Sequence, residues 1–193
     1  TIMKKISSEK LMRDVDELAA FVPNGFPFVS LYLNAQADQH GRDNFAPFVR
    51  KEFNNWAKHL PADSPKRVSF EVDAARIRKY LESELRASAN SLAVFACAAA
   101  DSYFKAIQLD APLETNELHV STIPHLYPLA RLIDQYPRCV ALLADTGVAR
   151  LFVFDLGQTR SSKEIDNRGS RIPADGVMTQ LRYRRRMEKY NLL

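Results

Sequence analysis

The chain has 193 residues with 46% hydrophobic and 26% charged side chains, a balance near the globular average that argues against wholesale disorder and for a packed protein of one or two domains. Its net charge of +4, from 27 Lys+Arg against 23 Asp+Glu, is only a mild bias toward polyanions. No run of eighteen apolar residues is present to span a membrane, and the first residues turn charged again before a signal-type apolar core develops, so a cytoplasmic protein without membrane contact is expected.

In chain order, "SSEKLMRDVDELAAF" combines capping serines, early acids and apolar residues at Leu11, Val15 and Leu18, the pattern of an amphipathic helix that Pro23, Gly25 and Pro27 end. "FVSLYLN", Phe28 to Asn34, alternates and is rich in β-branched and aromatic residues, which predicts a strand. After a polar loop, Phe45, Val49, Phe53 and Trp56 stand at helical spacing ahead of Pro61. A long helix follows Ser64-Pro65, with Phe70, Ala74, Ile77, Leu81 and Leu85 along one face. These stripes are the signature of core rather than of a cofactor box.

"SLAVFACAA" is a continuous apolar run of strand length, expected to be covered on both faces, and "YFKAIQL" and "ELHVST" read as further strands. Pro124 and Pro128 lead into a short helix, "LARLIDQY", stopped by Pro137. Beyond it "CVALLAD" and "ARLFVFDLG" form a predicted hairpin through Thr146-Gly147, which "KEIDN" could extend as a meander. The polar stretch Gln158 to Asp175 reads as a loop, and a last helix starts near Thr179. The change of pattern near Pro137 places a boundary between units 1–136 and 137–193, the second short for a core of its own. The fold class expected is α/β.

Cys97 and Cys139 sit in apolar runs without a CxxC partner and are expected as buried thiols. His40, His59, His119 and His125 lack the spacing of a zinc motif, so no metal and no cofactor is predicted. Few glycines and no GxGxxG or P-loop leave nucleotide-type chemistry without a signature.

Charge is concentrated at the end of the chain. In "GVMTQLRYRRRMEKY", Arg182, Arg185, Arg186 and Lys189 share one sector of a helical wheel beside an apolar seam of Tyr183, Met187 and Tyr190. Such a stripe suits a phosphate backbone, whose neutralisation releases counterions without sequence reading. The same pattern also describes a solvated face whose arginine stems cover apolar surface.

Four segments in this order, "LYLNAQADQHGRDNFAPFVRKEF", "LDAPLETNELHVSTIPHLYPLARLIDQY", "CVALLADTGVARLFVFDLG" and "LRYRRRMEKY", resemble the bacterial-type branch of the archaeo-eukaryotic class 1 release factor family. The resemblance implies an α/β first domain, an incomplete middle domain of RNase H-like topology made of a β-meander and a helix, and a third domain beyond the present sequence. It also implies tRNA or rRNA on the ribosome as partner. In the family a Gly-Gly-Gln loop precedes an Arg-aromatic helix and positions water at the peptidyl-tRNA ester. Arg182-Tyr183 matches the Arg-aromatic element, so Gly176 stands at the first glycine while Val177 and Met178 replace the second glycine and the glutamine. Valine does not readily take the φ > 0 geometries open to glycine, and a thioether has no amide, so the conventional hydrolase loop is missing. Branches with shifted glutamines make Gln180 the candidate for peptidyl-tRNA hydrolysis or tRNA cleavage. The codon-reading Asn-Ile-Lys-Ser tip is replaced by "HLPADSPKR", so no codon recognition is expected, although His59, Lys66 and Arg67 could touch an RNA backbone.

Two other readings stand beside this one. Asp145, Asp155 and Asp166, at the ends of neighbouring strands, would be the carboxylates of a two-magnesium nuclease of RNase H-like topology. Alternatively the chain is a non-catalytic adaptor that binds a protein partner.

Overall fold

The computed structural model describes residues 6–36, 45–145 and 148–166. The chain divides into two units by its contacts, the first comprising Thr1–Cys139 together with Phe154–Arg160, the second Val140–Val153 with Ser161–Leu193. Among the described residues no helix is long and apolar enough to cross a membrane.

The first unit is built on a four-stranded sheet. Strands β1 (Phe28–Asn34), β2 (Ser91–Cys97), β3 (Tyr103–Leu109) and β4 (Glu117–Ser121) lie in the order β3-β2-β1-β4. All three pairings are antiparallel. Alternation sorts β1 into two faces. Phe28 and Tyr32 join Phe95 and Cys97 of β2 in one core with Leu11 and Leu18 of α1 (Ser8–Ala19) and Leu129 and Leu132 of α4 (Tyr127–Gln135). Val29, Leu31 and Leu33 join Leu92, Val94 and Ala96 in a second core with Val49 and Phe53 of α2 (Ala46–His59) and Phe70, Ala74 and Ile77 of α3 (Pro65–Ser83). The unit is therefore a three-layer helix–sheet–helix sandwich. Its central strands are covered on both sides, which is why β2 reads as an unbroken apolar run.

Helix starts follow local chemistry. The Ser7 side chain accepts from Lys10 N at α1, and Ser64 accepts from Arg67 N at α3, where Pro65 occupies the first turn. Helix α3 stops at Ser83, so Leu85 packs on the second core from just beyond the helix.

Segment 154–160 completes the first unit. Both oxygens of Asp155 accept from Ser8 N at the start of α1, at 3.2 and 3.3 Å, and Arg160 Nε lies 3.4 Å from the same carboxylate. Arg160 also donates to the Ile6 carbonyl. Leu156 is buried in the first core at a φ of 49°, and Gly157 at 72° follows it, with the Tyr136 ring 3.1 Å from where a Cβ would stand. Glycine is favoured at that second position by its positive φ, and a Cβ there would also press on the Tyr136 ring.

Strands β5 (Cys139–Ala144), β6 (Val148–Asp155) and β7 (Gln158–Asp166) form a three-stranded sheet in the order β5-β6-β7. The sheet extends the meander that "KEIDN" suggested, and two expectations are corrected here. Gln158–Ser162, expected as loop, belongs to the same strand, because pairing to β6 supplies the order that its polar composition conceals. Cys139 is exposed, at the start of an apolar strand whose residues are mostly exposed, whereas Cys97 is buried as expected.

Candidate functional site

Among the described residues, a grouping of histidine and carboxylate side chains lies at the β1–β4 edge of the first unit. Cross-strand register sets Tyr32 opposite Glu117 and Ser30 opposite His119, so these four side chains share the sheet face that carries α1 and α4. The chain then returns through Pro124. His125 is held at both backbone atoms, its N donating to Ser30 Oγ at 3.0 Å and its carbonyl accepting from the Tyr32 hydroxyl. This fixing stacks the His125 ring on that of His119, with centroids 3.7 Å apart and planes 23° from parallel. Tyr32 meets both imidazoles edge-on, at 6.5 and 6.4 Å.

Glu117 closes the group. Its Oε2 lies 3.0 Å from His119 Nε2, and its Oε1 accepts from Thr115 Oγ1 at 2.8 Å. These two bonds, first His119 and then Thr115, hold its carboxyl below the usual range. Burial, followed by the neighbouring His119, lowers the His125 pKa and leaves its ring neutral at neutral pH. Tyr32, buried and beside Glu117, is pushed upward and stays a phenol donor. Neutral imidazole and ionised carboxylate are the forms that bind metal ions.

A cleft of about 220 Å³ adjoins the group. Tyr32, Thr115 and Glu117 line one side, and Tyr127, Arg131 and Gln135 of α4 the other. The Arg131 guanidinium pairs with Glu114 at 3.1 Å.

Sequence reasoning missed this site because it weighed histidine spacing along the chain. His119 and His125 are six positions apart and match no linear zinc motif. The available signal was Glu117-x-His119 on a strand, which places both side chains on one face.

The residues singled out from the sequence fare differently. Gly176, Val177, Met178, Gln180, Arg182, Arg185, Arg186 and Lys189 all lie outside the described residues, as does Thr146-Gly147. At the α2–α3 tip, His59 Nδ1 lies 2.8 Å from the Asn55 carbonyl and Arg67 is paired with Glu71 at 2.9 Å. The nuclease grouping is not assembled by Asp145 and Asp155. Asp145 N donates to Val148 O beside the β5–β6 turn, whereas Asp155 ends β6 seven residues later. At about 3.3 Å per residue the two are roughly 23 Å apart along the strand, too far to share metal ions about 4 Å apart. Asp155 is moreover only 4% exposed and engaged by Ser8 and Arg160.

Comparison with known proteins supplies the wider context. Residues 124–190 match the family described as "Bacterial archaeo-eukaryotic release factor family 10". No curated protein matches the sequence. Among solved structures, an archaeal protein aligns over 91% of this chain and 50% of its own at 14% identity, with a TM-score of 0.52. The archaeal translation termination factor aRF1 aligns over 84% of this chain and 45% of its own at 12% identity, with a TM-score of 0.53. The chain thus spans about half the length of either structure, and at these identities the likeness concerns the fold. The match over 124–190, together with the aRF1-like α/β fold, bears out the likeness read from the sequence, to the bacterial-type branch of the archaeo-eukaryotic release factors.

Proposed function

We propose that this release-factor-like chain works in the cytoplasm on translating or stalled ribosomes, in termination, rescue or quality control, by binding tRNA or rRNA through Arg182, Arg185, Arg186 and Lys189. The observation that carries the reading is the family match, which extends over that basic segment as far as Tyr190. Residues 137–193 would then be the leading part of an RNase H-like middle domain. The four cations would contact phosphate oxygens and give affinity without base reading.

Chemistry at the peptidyl-tRNA ester would differ from the family's, since Val177 and Met178 occupy positions where the family carries glycine and glutamine. Gln180 is the residue that would position the water. A tRNA-shaped adaptor without hydrolysis needs only the basic face.

Ribosome co-sedimentation at two salt concentrations tests the proposal. Binding is expected to fall smoothly as salt rises, and Arg182→Ala with Arg185→Ala should weaken it and flatten the log–log salt slope by about two, one for each phosphate contact removed. Unchanged binding in the double variant would overturn the RNA face. No sedimentation at any salt would favour the protein-binding adaptor. If peptidyl-tRNA is hydrolysed at all, Gln180→Ala should abolish release.

A further inference from the structure

Glu117, His119 and His125 offer one carboxylate oxygen and two imidazole nitrogens that all lie within 4.8 Å of one another, the one such grouping among the described residues. We propose that these three side chains bind a divalent transition metal ion of the zinc class, leaving one coordination position open to water or to a small anionic ligand from the adjoining cleft. The inference stands apart from the RNA-binding proposal and shares no residue with it.

The donor set argues for the ion class. Two imidazoles with one carboxylate suit zinc, cobalt or nickel; magnesium and calcium demand a shell of oxygens. Three protein ligands and one exchangeable position is also the arrangement of reactive zinc sites rather than of closed structural ones.

Much of the site is already fixed. The His125 backbone is pinned by Ser30 and Tyr32 on the central strand, and His119 and Glu117 are set by the β1–β4 register. Thr115 holds Glu117 Oε1, which leaves Oε2 as the ligating atom, the kind of supporting hydrogen bond that orients metal-bound carboxylates. What remains is local movement. In a tetrahedral zinc site, ligand atoms stand about 3.4 Å apart, given bonds near 2.1 Å. The two ring planes lie 23° from parallel with centroids 3.7 Å apart, so the rings must tilt for one ion to lie close to both planes. His119 and Glu117 are more than a third exposed at their side chains, and their mutual hydrogen bond is replaced by bonds to the metal.

The cleft gives the open position a purpose. Glu117, Thr115 and Tyr32 line it, with Arg131 and Gln135 on its far side. A small anion bound to the ion would find a guanidinium within the same cleft. The ion could equally carry water there, which zinc makes acidic enough to ionise near neutral pH.

The test uses the untagged chain. After equilibration with micromolar zinc and gel filtration, metal analysis should find one equivalent per chain, and a chromophoric chelator should give its affinity. His119→Gln and His125→Ala should each lower that affinity by about 100-fold or more, and Thr115→Ala, which keeps all three ligands, by about tenfold. His59→Ala, remote from the site, should leave it unchanged. Cobalt in place of zinc should show the intense visible bands of four- or five-coordination. Absence of stoichiometric zinc, zinc binding unaltered by His119→Gln, or a pale water-like cobalt spectrum would each overturn the proposal. Should His125→Ala fail to fold by circular dichroism, His119→Gln on the partly exposed edge strand still decides it.

Discussion

Strands β2 and β5 have nearly the same sequence character, "SLAVFAC" against "CVALLA", and opposite surroundings. Every residue of β2 is buried, between α1 and α4 on one face and α2 and α3 on the other. On β5, Val140, Leu142 and Leu143 are 61%, 61% and 63% exposed. Apolar content therefore identifies a strand without saying whether it is covered. Cover comes from helices elsewhere in the chain, and stabilisation comes with cover.

That contrast can be broken by substitution. Leu92→Ala removes a fully buried side chain from the second core and should cost about 3 kcal/mol in denaturant unfolding, while Leu142→Ala should cost less than about 0.5 kcal/mol. Equal losses would mean that β5 is covered in solution and that the difference between the strands is not real.

A smaller effect is expected where β6 enters the first unit. Asp155→Ala would strand the Ser8 amide and leave Arg160 without its carboxylate, for a loss of about 2 kcal/mol. Its double-mutant cycle with Arg160→Met should show coupling, and strict additivity would show the pair to be incidental.

The smallest effect sharpens the view of the covered sheet. Asp73 on α3 is fully buried, with one oxygen accepting from Ala98 N at 2.9 Å and the other unpaired. Burial raises its pKa from 3.8 to about 6, against the opposing Ala98 bond and Arg76. Between pH 3.8 and about 6 the native state thus holds a proton that the unfolded chain releases. The resulting stability is complete below pH 3.8 and is lost as pH rises through about 6. Asp73→Asn should therefore be more stable than the parent at pH 8, by about 1–2 kcal/mol, and equal to it near pH 3.5. A variant less stable than the parent at pH 8 would show that the ionised carboxylate is needed there.

Much of the first unit was legible because each element carried a complete local signal. The Ser64-Pro65 start and the Phe70, Ala74, Ile77 stripe identified α3, and the alternation of Phe28–Asn34 identified β1. What escaped depended on partners outside the segment itself. The first half of β7, "QTRSS", has little β propensity, and its pairing with β6 decides its conformation, whereas "KEID" was read as a possible extension of the meander. The exposure of Cys139 is invisible for the reason that separates β5 from β2. His119 and His125 were read as scattered, and the bonds that unite them, from Ser30 and Tyr32, bridge more than ninety positions. The basic stripe from Arg182 to Lys189 was legible by periodicity alone, and it lies outside the described residues.

The loop at Leu156-Gly157 bears on where this chain may be cut. Leucine in a left-handed conformation costs about 1–2 kcal/mol, and here that cost is met by insertion into the core with Leu129 and Leu132. A fragment ended at Pro137, where the pattern of the sequence changes, would discard this stopper along with the carboxylate that seats Ser8. Its N-terminal helix would fray and its interior would open to water, so limited proteolysis should attack such a fragment far faster than the whole chain.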